Sequence, residues 1–146
     1  MTITTIERVV ALHRVPMFAD IPGRTLAAVA QRAHELAVAT GETVIVEGAM
    51  EDHLFAVVEG RLRVHHGDRT VATLGAGSTV GELAALVPEP RSASVTALEP
   101  TLLLRIDKPI LDELLADRPA LASGVIEALV AMVRERTHAE ADTSSA

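Results

Sequence analysis

Cysteine, tryptophan and tyrosine are absent from this chain of 146 residues, and phenylalanine occurs only twice. Without cysteine there is no disulfide scaffold, no Cys-ligated zinc module and no thiol nucleophile. Without tryptophan and tyrosine there is no set of aromatic platforms on which the bases of a single-stranded nucleic acid could stack. Positive charge is also scarce: 13 Lys and Arg stand against 20 Asp and Glu, a net charge of −7, with no basic block. A duplex-binding surface needs clustered cations facing phosphates, so direct DNA binding is not expected. A local pocket for one small anion is compatible with the same balance. No hydrophobic run approaches the roughly 20 residues that a membrane span requires. The most apolar stretch, 124–133, is short and carries Glu127. The N-terminus has no apolar core followed by a cleavage pattern, and a cytoplasmic location is expected.

The length points to one domain, on a prior of about 150 residues each, and a chain of this size buries about 70% of its unfolded surface. Three zones follow one another. Between 5 and 33 the period is helical: Ile6, Val9, Val10 and Leu12 form a short amphipathic helix, Pro16 stops it, and Pro22 opens a second helix carrying Leu26, Val29 and Ala30. From 35 to 107, runs of Val, Ile, Leu and Thr alternate with glycine-bearing turns, which predicts strands at 35–39, 43–46, 54–58, 61–66, 70–74, 92–97 and 101–107. Turns this frequent indicate an antiparallel sandwich or barrel, not βαβ units. The fold class is therefore mainly β with flanking helices, a double-stranded β-helix or jelly-roll barrel. From 108 to 137 the helical period returns. Ile110, Leu111, Leu114 and Leu115 share one face, and Asp117 and Pro119 read as the cap and first turn of a last helix. Leu121, Val125, Leu129, Met132 and Val133 form the stripe of that helix. Residues 139–146 are small and polar, a tail expected to fray.

One segment breaks the β pattern: VGELAALVPEPRSASV, residues 80–95. Glu82 to Leu86 is helix material too short to stand alone, and Pro88 and Pro90 end it. A helix N-terminus offers unpaired N–H groups and a partial positive charge, and Gly81 lets a ligand approach its backbone. Together these make an anion site. Arg91, just beyond the double proline, carries a guanidinium able to grip two anionic oxygens at once. Glu82 would repel a bare anion, but it suits a ligand that also donates a hydroxyl. A phosphate beside a sugar hydroxyl meets both demands.

These residues resemble the phosphate-binding cassette of the cyclic nucleotide-binding domain family. The pattern is met by Val80, Gly81, Glu82, Ala84, Arg91, Ser92, Ala93, Val95 and Ala97, with Ala85 where a larger aliphatic is usual. An earlier signature also fits: Val44-Ile45-x-x-Gly48, then Leu54-Phe55-Ala56-Val57, then Gly60, with Glu51 in place of a small residue and Ala56 in place of a larger one. The likeness extends over nearly the whole chain, so that residues 1–138 form the domain.

The resemblance implies a role for each matched position. The amides of Leu83 and Ala84 face the cyclic phosphate, Arg91 pairs with its exocyclic oxygens, Glu82 accepts the ribose 2′-OH, and Ser92 adds a hydroxyl. Val64, Val71 and Leu74 line the barrel wall beside ribose and base. The last helix acts as a lid, with Arg136 and Thr137 placed to reach the purine and Val133 behind them. The expected ligand is cAMP, with cGMP left open by Ser92. No further cofactor is implied.

Other chemistries find less support. Arg91 and Glu82 could form a structural ion pair, but an exposed pair contributes only about 0–1 kcal/mol and needs neither the glycine nor the proline-bounded turn. His65 and His66 are adjacent on a strand and point to opposite faces, while His13, His34, His53 and His138 show no ligand spacing, so no metal site is expected. Gly75, Gly77 and Gly81 lack the spacing and the βαβ setting of a dinucleotide fingerprint. No nucleophile elbow or paired carboxylate set is present, and the chain is not expected to be an enzyme. The expectation is a sensor that moves its C-terminal helix on binding and signals to a protein partner or fused effector, without the helix-turn-helix of related transcription factors. That helix could also pair with a second copy. The alternative is a degenerate barrel that binds no nucleotide.

Overall fold

The computed structural model describes residues 2–81, 85, 89–119, 122, 123, 126, 127, 130, 131 and 134. Helix α1 (Thr5–His13) begins at a capping box: Thr4 accepts from the Glu7 amide, and the Glu7 carboxylate accepts from the Thr4 amide. Pro16 ends the helical run, and a 3₁₀ turn, Pro16–Phe18, leads to α2 (Gly23–Arg32). Arg8 locks the two helices together. Its Nη1 donates to the carbonyls of Ala30 and Ala33, both at 2.9 Å, at the C-terminal end of α2, where a cation is favoured.

Among the described residues ten strands follow: β1 (His34–Val38), β2 (Thr43–Ile45), β3 (Met50–Glu51), β4 (His53–Glu59), β5 (Leu62–His66), β6 (Arg69–Leu74), β7 (Thr79–Val80), β8 (Glu89–Pro90), β9 (Ser94–Ala97) and β10 (Thr101–Asp107). They form two antiparallel four-stranded sheets, ordered β1-β10-β4-β7 and β2-β9-β5-β6, and a two-stranded ladder β3-β8. This is the jelly-roll with flanking helices that the turn spacing predicts.

Alternation along β4 explains how the layers join. Phe55 and Val57 point into the barrel, with Val38, Ile45, Leu62, Val95, Ala97 and Leu103. Leu54 and Ala56 point the other way, onto a second core with Leu104 and Ile106 of β10 and the apolar faces of the helices. Because β4 is covered on both faces, it reads as a continuous apolar run and not as alternation. Both phenylalanines are core residues, Phe18 in the helical layer and Phe55 in the barrel.

Helix α3 (Lys108–Asp117) buries Ile110, Leu111 and Leu114 against that helical layer. The break before the last helix falls one residue later than predicted, at Arg118 and not at Asp117. Arg118 has φ −135° and ψ 82°, the extended geometry that a following proline imposes, and its Nη2 donates to Thr25 Oγ1 at 3.0 Å. The described residues from 122 to 134 are helical, with Ile126 and Val130 exposed. The stripe Leu121, Val125, Leu129, Met132 and Val133 and the tail 139–146 lie outside the described residues. Among the described residues, no helix is long and apolar enough to cross a membrane.

Candidate functional site

The segment 80–95 is anchored on both sides. Ahead of it, β7 pairs with β4, Val80 opposite Phe55, which sets Gly81 beside the His53 carbonyl. Behind it, β8 pairs with β3, and the ladder runs on through Arg91: its amide donates to the Ala49 carbonyl, and its carbonyl accepts from the Gly48 amide, both at 2.9 Å. This pairing delivers Arg91 to a fixed strand position. The predicted strand at 92–97 starts later, at Ser94, because Ser92 and Ala93 form a bend between the short ladder and β9.

Arg91 is directed inward and is 5% exposed. Its Nη2 donates to the His53 carbonyl at 2.7 Å and its Nη1 to the Gly81 carbonyl at 3.3 Å. Gly81 has φ +88°, and a Cβ on it would run into Arg91 Nη1 and stand 3.0 Å from the His53 carbonyl oxygen. Only glycine meets both demands, on backbone and on space. The Gly81 carbonyl also accepts from the Ala85 amide at 3.2 Å, the i to i−4 bond of an α-turn. Ala85, the small residue at a place where a larger aliphatic is usual, is fully buried in the helical core.

The sequence reading missed two further members of this corner. Glu51 places Oε1 3.8 Å from Arg91 Nε and Oε2 3.4 Å from His53 Nε2. The Glu51 substitution in the second signature was the visible signal. His53 carried none, because its ladder partner Asp107 and its neighbour Arg91 are distant in sequence. The His53 ring packs edge-on against Phe55, with centroids 5.0 Å apart. Burial holds its pKa below the ordinary 6.5; the Glu51 charge opposes this, Arg91 and Arg105 add to the depression, and Asp107 opposes it.

Of the expected site residues, the structure brings Gly81 and Arg91 together. Ser92 follows Arg91 and is exposed. Val64 and Leu74 pack against the barrel core from β5 and β6. Val71 does not join them: Val64 pairs with Ala72 and His65 with Thr70, so the register skips Val71, which is 45% exposed. Glu82, Leu83, Ala84, Val133, Arg136 and Thr137 lie outside the described residues. Among the described residues, no group of three or more acidic or histidine side chains is arranged to hold a metal ion.

Known proteins share both sequence and shape with this chain. The model of the family described as the cyclic nucleotide-binding domain matches residues 35–118, more than half of the sequence. A Pycsar effector protein from Pseudomonas aeruginosa is 34% identical over 100 residues, 68% of this chain and 32% of that protein, so the chain spans about a third of that relative's length. The N-terminal domain of a transcriptional regulator from Streptomyces coelicolor A3(2) is 30% identical with a TM-score of 0.71, covering 88% of this chain and 93% of that one. The regulatory domain of Toxoplasma gondii PKA, solved with cAMP, is 25% identical with a TM-score of 0.68, covering 75% and 43%.

Proposed function

The chain belongs to the cyclic nucleotide-binding domain family, and from that membership we propose that it is a cyclic nucleotide sensor that prefers cAMP to cGMP and performs no chemistry on its ligand. The observation that carries this reading is the corner where Arg91, buried and held by two backbone carbonyls, abuts a glycine that only a Cβ-free residue can replace. An arginine fixed this way offers a fork matched to two phosphate oxygens, with little side-chain entropy left to lose. The cAMP-bound Toxoplasma domain supports the choice of ligand.

In this reading the cyclic phosphate meets Arg91 and the amides of Leu83 and Ala84, Glu82 accepts the ribose 2′-OH, and Ser92 adds a hydroxyl. Val64 and Leu74, which pack against the barrel core, flank the ribose and base. The last helix closes over the purine with Val133, Arg136 and Thr137. The signal is the difference in ligand affinity between open and closed positions of that helix. It is passed to a protein effector, separate or fused, in the cytoplasm, and the same helix can pair with a second copy.

One observation favours the alternative of a barrel that binds no nucleotide: the guanidinium already donates to Gly81 and His53 and is only 5% exposed. Calorimetric titration with cAMP, cGMP and 5′-AMP decides between them. Saturable heat with the cyclic forms and little with 5′-AMP is the expected result. No heat and no melting shift with either cyclic nucleotide would establish the alternative.

A further inference from the structure

We propose that His53 is a positioning residue for Arg91, and that the Glu51 carboxylate shared between them links anion capture at the Gly81 corner to uptake of a proton. This inference rests on the reading of that corner as the phosphate site.

The geometry divides one carboxylate between two bases. Glu51 Oε1 faces Arg91 Nε at 3.8 Å, and Oε2 faces His53 Nε2 at 3.4 Å. The three groups come from different elements: Glu51 from β3, His53 from β4, and Arg91 from the residue after β8. Their side chains are 31%, 17% and 3% exposed, so solvent screens their coupling less than it would on an open surface. The imidazole is fixed from behind by Phe55, and its own backbone carbonyl holds Arg91 Nη2. A change of charge on the ring therefore acts on the arginine through a short, rigid connection.

Other charges also face the ring. Arg105 and Asp107 approach from β10, but Asp107 is already paired with Arg105 at 3.1 Å and with His34 at 3.4 Å. Glu89 of β8 lies opposite Glu51 in the ladder. Among the described residues, Glu51 is thus the acid that answers to both His53 and Arg91.

While His53 is neutral, the Glu51 charge is directed at Arg91 and competes with an incoming anion. Once His53 is protonated, the carboxylate is matched by the imidazolium, and the field of Arg91 is released to the ligand. By reciprocity, an anion seated on Arg91 raises the proton affinity of His53. Burial of the ring favours its neutral form in the free protein, which leaves a proton to be taken up on binding.

The test is calorimetric titration of the full chain with cAMP in buffers of different ionisation enthalpy, from about pH 8 to about pH 5.5. Expected are net proton uptake on binding at the acid end and an affinity on the order of 3- to 10-fold higher there, with both effects lost in His53→Asn. A second measurement needs no variant: NMR titration of the His53 ring, with and without cAMP, should show its pKa raised by the ligand. Binding without proton exchange, or a His53 pKa that the ligand leaves unchanged, would overturn the proposal and leave the phosphate site standing. Absence of cAMP binding at every pH would overturn both.

Discussion

Arg91 and Gly81 occupy one another's space: the guanidinium donates to the Gly81 carbonyl at 3.3 Å, and a Cβ on residue 81 would collide with the nitrogen that makes this bond. A positive φ of +88° adds a second demand. A non-glycine residue held in the left-handed region costs roughly 1–2 kcal/mol, and displacement of the buried arginine comes on top of that. Gly81→Ala should therefore lower stability by about 1–3 kcal/mol and weaken cAMP binding at least tenfold. Urea unfolding and calorimetry on the same sample check both. A variant with wild-type affinity would show that the corner does not hold the ligand.

Arg91→Ala and Arg91→Lys separate charge from shape. The alanine variant loses the charge-assisted contact, and binding should weaken by about 1–3 kcal/mol, several-fold to a few hundredfold. It also removes the guanidinium donor from the His53 carbonyl and one of two donors from the Gly81 carbonyl, so its melting temperature should fall without any ligand present. Lysine restores a point charge but not the planar fork. Its affinity should lie between the other two, and an affinity equal to that of wild type would remove the argument for bidentate recognition.

Much of this site was legible in the sequence because its chemistry is local. Gly81, the prolines and Arg91 lie within one short segment, and seven strands were readable from their turns. What escaped was set by long-range pairing. The two-residue strands β3, β7 and β8 have no periodicity of their own; they exist because the ladders with β8, β4 and β3 hold them. Val71 carries the apolar side chain of a wall residue, but a one-residue slip in the β5–β6 register leaves it exposed. Glu51 joins Arg91 only across the β3–β8 ladder, and His53 only where β4 meets the Gly81 corner.

Arg8 gives a stability prediction independent of the ligand. Its two bonds to the Ala30 and Ala33 carbonyls and its pairing with Glu35 at 3.4 Å fasten α1 to the end of α2. Arg8→Ala removes the guanidinium donor from both carbonyls, of which Ala30 keeps the Ala33 amide, at a cost of about 1–3 kcal/mol. Denaturant unfolding should show this loss while the dissociation constant for cAMP stays within about twofold of wild type, because additivity holds for distant sites. A large change in affinity would mean that α1 communicates with the barrel corner.

The depressed pKa of His53 fixes the sign of one pH dependence. In the unfolded chain the ring titrates near 6.5, whereas in the fold burial keeps it neutral to lower pH. As pH falls through 6.5 the unfolded state takes up the proton first, so stability falls until the folded-state pKa is passed, and no further loss comes from this group below it. His53→Asn should remove this component, so its melting temperature should decline less than that of wild type on going from about pH 7 to about pH 5. Bound cAMP should lessen the decline in wild type, because an anion on Arg91 brings the folded pKa back toward the unfolded one. Parallel melting curves for the two proteins across that range would show that the ring carries no such penalty.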